Sequence, residues 1–127
     1  MESRDITDRQ ISASSELDAN HAAHQGRLHF RETSTKAGSW SVPAKNLNSL
    51  QWLQVDLNQL TNVTGVATQG RNNTNVWRGN HSQWVTAYKL QFSEDGFTFQ
   101  YYKEKGQISE KARLVFFVTL QRNLVKM

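Results

Sequence analysis

Two stretches of strict alternation limit what this chain can fold into. In Trp52-Leu53-Gln54-Val55-Asp56-Leu57, one face takes Leu53, Val55 and Leu57, and the other takes Trp52, Gln54 and Asp56. In residues 84–92, Trp84, Thr86, Tyr88, Leu90 and Phe92 alternate with Val85, Ala87, Lys89 and Gln91. A period of two carried by aromatic and branched side chains predicts strands buried on one face. Ser93-Glu94-Asp95-Gly96 then has the composition of a tight turn, because Gly96 accepts a positive φ after Asp95. Residues 97–103 read as the returning strand, with Phe97, Phe99 and Tyr101 on one side. Residues 10–15 and 27–31 are shorter strand candidates, and the single proline, Pro43, marks an irregular connection. Periodicity alone leads to an antiparallel all-β fold, sandwich or barrel.

The words themselves are also informative. WLQVDL at 52–57, VTGVATQGR at 63–71 and WVTAYKLQFSEDG at 84–96 follow Gln10-Ile11-Ser12-Ala13-Ser14-Ser15 and Gly26-Arg27-Leu28 in a distinctive order. Over residues 1–103 the chain resembles the discoidin domain, also called the coagulation factor 5/8 type C domain. The resemblance implies an extracellular or cell-surface β-sandwich of jelly-roll type that binds ligands through loops at one end. With alternation, it predicts a core that includes Leu53, Val55, Leu57, Val66, Tyr88, Leu90 and Phe92. The family pattern also places Trp40, Trp52 and Trp84 in packing positions.

Beyond Lys103 the likeness fades. Residues 104–127 form a divergent basic tail in which residues 114–120 are the one strand candidate. The family's closing words are missing there, so the expectation is a sandwich that lacks its closing C-terminal strands. The terminal cysteines common in the family are missing too, since the chain has no cysteine, which excludes disulfides and thiolate metal sites. Nothing at the start resembles a signal peptide, and no run is apolar enough for a membrane helix. These departures suggest a truncated member of the family.

Charge discriminates further. Residues 1–102 carry nine basic and nine acidic side chains, so the formal net charge of +4 resides in residues 103–127. A nucleic-acid binder would carry its charge along a folded face, interleaved with aromatics, so that partner class is set aside.

By motif position the ligand loops fall at residues 17–25, 31–38 and 71–83. The first two are rich in Asp18, Asn20, His21, His24, Glu32, Thr33 and Lys36, and their only large apolar residue is Leu17. Trp77 stands in the third loop amid Asn72, Asn73, Asn75, Arg78, Gly79 and Asn80. An indole placed there can stack on a sugar ring or anchor a protein interface, or else fold back as a lid on the sandwich. Arg78 could pair with an anionic ligand group. Arg71, closing the TQGR word, could face the ligand or pair with Asp18 or Glu32. The ligand-binding candidates are therefore Asp18, Asn20, His21, Glu32, Lys36, Arg71, Trp77 and Arg78.

Membrane insertion needs several apolar spikes, each contributing roughly 2 kcal/mol. These loops favour a glycan or an extracellular-matrix protein over membrane phospholipid. A phospholipid-binding module of coagulation-factor type is the alternative, and a non-functional truncated fragment is another.

The histidines His21, His24, His29 and His81 lack zinc-ligand spacing, and Asp18 with Glu32 is too small a set for calcium. No metal site, cofactor or catalytic constellation is expected. Three N-glycosylation sequons begin at Asn62, Asn72 and Asn80, the last two flanking Trp77.

Overall fold

A computed structural model of the chain describes residues 5–46, 50–71, 83–85, 88–103, 119–120 and 124–126. Its regular structure is antiparallel sheet: β1 Ile11–Ala13, β2 Leu53–Asp56, β3 Gln91–Ser93, β4 Gln100–Tyr101, β5 Thr119–Leu120 and β6 Leu124–Lys126. The sheet order is β1-β2-β6-β3-β4, with β5 pairing β6 off this path. The only helical turns among the described residues are three short 3-10 segments, Asp8–Gln10, Ala23–Gly26 and Ala44–Asn46. The all-β expectation is met.

The alternation in β2 becomes a core for a geometric reason. Directly paired residues of antiparallel strands project to the same face, and the register sets Ile11 opposite Val55 and Ala13 opposite Leu53. Leu53 and Val55 are each 1% exposed, while Gln54 and Asp56 between them remain half-buried. Ile11 and Ala23 complete the buried cluster, and Ile6, Ala13, Trp40 and Leu57 pack around it. Burying Leu53, Val55 and Ile11 contributes roughly 2 kcal/mol each. Gln10 ties the far end of β1 down, its Oε1 accepting from the Thr7 N–H and its Nε2 donating to the Asp56 carbonyl.

The tail contributes more than an edge. Strand β6 lies between β2 and β3, with Val125 in register with Val55 on one side and Phe92 on the other. Strand β5 overlaps the last two positions of the 114–120 candidate, whose first five lie outside the described residues.

The predicted turn between β3 and β4 is present. Gly96 has φ 81°, and the Asp95 Oδ1 accepts the Phe97 N–H at 2.8 Å, the Thr98 N–H at 2.7 Å and the Ser93 hydroxyl at 2.8 Å. Three donors aimed at one carboxylate hold the Asp95 carboxyl far below its ordinary value, the Thr98 N–H acting most strongly.

Five expectations need correction. Residues 27–31 form a turn, closed by the Phe30 N–H on the Arg27 carbonyl and with His29 at φ 58°. Two apolar positions are too few to hold a strand where the His24 and Phe30 rings meet edge to face. Among the described residues of 84–92 only 91 and 92 belong to a strand, residues 86–87 lying outside the description, and Trp84 and Val85 are 66% and 55% exposed. Val66 is also exposed, because residues 61–70 pair with no strand. Finally, Phe97 is 89% exposed and does not share a buried face with Phe99. Tyr88, Leu90 and Phe92 are half-buried rather than central.

Candidate functional site

The first two candidate loops form one polar rim. In the first, Asp18 organises a turn: its carbonyl accepts the His21 N–H at 3.0 Å, and its Oδ1 accepts the Asn20 N–H at 2.8 Å. The same oxygen meets His21 Nδ1 at 2.8 Å. Those bonds, that from His21 foremost, hold the Asp18 carboxyl below its ordinary value against an opposing desolvation cost. The floor of the loop is buried polar structure. Gln25 is 0% exposed, and its Nε2 donates to the Ala19 carbonyl at 3.2 Å. Glu16 Oε1 accepts the Ala23 N–H at 2.6 Å.

The second loop turns on itself through the Thr33 N–H on the Lys36 carbonyl, 2.9 Å, and then docks on the first. The Ala37 N–H donates to the Asn20 carbonyl at 2.8 Å, and Lys36 Nζ donates to the Ala19 carbonyl at 3.4 Å. Ser41 anchors the first loop at its start and its middle, accepting from the Leu17 N–H and donating its own N–H to the His21 carbonyl. Asp18, Asn20, His21 and Lys36 therefore belong to one hydrogen-bonded unit, with Asp18 and Asn20 exposed on it. Glu32 is half-buried, and its Oε2 has no partner.

The third loop is visible at its neck. Arg71 and Gln83 form an isolated antiparallel bridge, with the Arg71 N–H on the Gln83 carbonyl at 2.8 Å and Nη1 on Gln83 Oε1 at 3.2 Å. Arg71 pairs with neither Asp18 nor Glu32, which removes that alternative, and its Nε is buried without a partner. Trp77, Arg78, Asn72 and Asn80 lie outside the described residues.

Trp84, next to the neck, was expected in the core but stands 66% exposed. Gly70 permits this arrangement, because a Cβ there would approach the Gln83 carbonyl oxygen and Trp84 Cβ at 3.3 Å each. Alternation conceals such a residue, since it marks a face but not whether another element covers it. Leu17, 46% exposed, is a second large apolar side chain exposed among the described residues of these loops.

The bases of these segments meet at a cleft of about 30 Å³ lined by Gly26, Arg27, Leu28, Gly38, Ser39, Ala67, Gln69 and Gly70. It has room for one or two waters, far less than a sugar ring needs. One wall is braced by Arg27, whose Nη2 donates to Asp8 at 2.6 Å, and another by the His29 N–H on Gln69 Oε1 at 2.9 Å. A sugar-sized ligand therefore does not fit inside this cleft. Among the described residues no three His, Asp or Glu side chains converge as metal ligands. The rim offers carboxylate, amide and ammonium groups beside two apolar side chains, an arrangement suited to recognising a polar surface. The family model described as F5/8 type C domain matches residues 10–124.

Proposed function

The chain belongs to the F5/8 type C domain family, and from that premise we propose that it is a recognition module binding a glycan or an extracellular-matrix protein. Family members are generally non-catalytic binding modules of the extracellular space or cell surface, and their partners include carbohydrates, proteins and phospholipids. The observation that carries the polar reading is the fusion of the first two loops into one rim through Asn20–Ala37 and Ala19–Lys36. A rim already hydrogen-bonded to itself presents its remaining groups, Asp18 and Asn20 among them, without first losing conformational entropy. Trp77 is the proposed anchor and Arg78 its cationic neighbour, with Arg71 holding the loop's neck.

The exposed Leu17 and Trp84 favour a second reading, attachment to phospholipid. Those two side chains by themselves supply roughly 4 kcal/mol, short of stable anchoring. The deciding experiment compares glycan and matrix-protein arrays with co-sedimentation on phosphatidylserine vesicles. The expected result is array binding that Trp77→Ala weakens at least tenfold, a loss of about 1.4 kcal/mol or more. Vesicle binding with an empty array would transfer the function to lipid. Array binding unchanged by Trp77→Ala would remove Trp77 as the anchor.

A further inference from the structure

Residues 61–70 present an unusual combination. They belong to no strand, and every residue from Asn62 to Gly70 is exposed. Three large apolar side chains stand in or beside this stretch, Leu60 at 74%, Val63 at 36% and Val66 at 41% exposure. Unpaired backbone carrying exposed branched side chains is the template on which a second chain adds as a strand. In the middle of it lies Asn62-Val63-Thr64, an acceptor word for N-linked glycan.

Both residues that the modification needs, Asn62 and Thr64, are exposed, and no strand ladder holds their backbone. The segment also leaves β2 from Asp56, the end beside Gln10, whereas the first ligand loop departs from the other end of β1.

We propose that Asn62 carries an N-linked glycan and that this glycan covers Leu60, Val63 and Val66. The proposal uses the extracellular part of the functional reading but not the identity of the ligand. In the transfer, Asn62 Nδ2 bonds to C1 of an oligosaccharide carried on a polyprenyl pyrophosphate. The C1–O bond breaks, the polyprenyl pyrophosphate leaves with the bonding pair, and the amide gives up one proton. A hydrated oligosaccharide placed there hinders strand addition by bulk while leaving the chain's own hydrogen bonds untouched.

The test is export of the full chain through a eukaryotic secretory pathway behind a cleavable signal sequence. Peptides are then mapped after enzymatic deglycosylation in heavy-oxygen water. The expected result is a labelled Asp at position 62 in most molecules. One glycan step should be lost on a gel for Asn62→Gln and Thr64→Ala, and retained for Thr64→Ser. An unlabelled Asn62 in the secreted protein would overturn the proposal.

Covering is read separately, by light scattering across a concentration series. Asn62→Gln and Thr64→Ala should self-associate at concentrations at least tenfold lower than wild type. Equal association of an occupied wild type and both variants would overturn the covering role. Neither readout depends on ligand, so a failed array experiment and a failed glycan are distinguishable.

Discussion

The contact between Leu53 and Gly26 offers a quantitative test of how the sheet supports the loops. Leu53 is 1% exposed, and a Cβ on Gly26 would lie 3.0 Å from Leu53 Cδ2, 3.8 Å from Leu53 Cδ1 and 3.5 Å from Trp40 Cβ. Leu53→Ala removes the side chain that fills this space. Buried Leu→Ala changes cost about 2.7–5 kcal/mol, and the half-buried turn nearby can settle inward, so about 3 kcal/mol is expected. Gly26→Ala alone inserts a methyl against the far end of a flexible side chain. Overpacking of about 1 kcal/mol is then partly offset by an unfolded-state gain of about 0.4–1 kcal/mol.

In the double variant the new methyl enters the space that Leu53 vacated. It should therefore cost about 1 kcal/mol less than the two single changes added together. Urea unfolding followed by tryptophan fluorescence measures all four corners of the cycle, with Trp40 and Trp52 as half-buried reporters. Additivity within about 0.3 kcal/mol would show that the two residues do not share this space, and would refute the reasoning. A Leu53→Ala cost below about 1 kcal/mol would remove Leu53 from the core altogether.

Two further predictions concern the β3–β4 turn. The Asp95 carboxyl titrates below its ordinary value, so its contribution is complete above the unfolded pKa and is lost as pH falls through the folded one. The stability difference between wild type and Asp95→Asn should thus stay constant above about pH 5 and shrink below about pH 4. A difference that widens on acidification, in urea midpoints taken across that range, would contradict it. Gly96→Ala places a Cβ at φ 81° and should cost about 1–2 kcal/mol in the same assay. A neutral effect would mean that the turn relaxes into another conformation.

Alternation revealed β2 because the strand has neighbours on both sides: β1 in register at Ile11 and β6 at Val125. It misled at Trp84 and Val66 because a pattern states what a strand would bury, while a strand also needs a partner's N–H and C=O groups. Residues 84–85 and 61–70 pair with no neighbouring strand and stay exposed. Strand β6 went unrecognised because Leu124-Val125-Lys126 is too short to display any period. The Ser93–Gly96 turn was legible because its chemistry is local, residing in Asp95 and a glycine that accepts positive φ. At the site, residue types pointed to a polar rim. The bonds that assemble it, such as Ala37 to Asn20, join backbone groups and leave no trace in side-chain identity.

The central position of β6 sets the order in which this sheet can form. The β3–β4 hairpin closes a short loop and can form early, whereas joining Val55 to Val125 closes a loop nearly ten times longer. Loop-closure entropy makes that step about 2 kcal/mol more expensive. Until β6 arrives, β2 and β3 each hold an edge with nothing between them. A chain emerging residue by residue from a ribosome passes through that gap before β6 is made. Pairing at such separation is expected to slow folding, and the open edges of β2 and β3 are where misassembly would begin before the sheet closes.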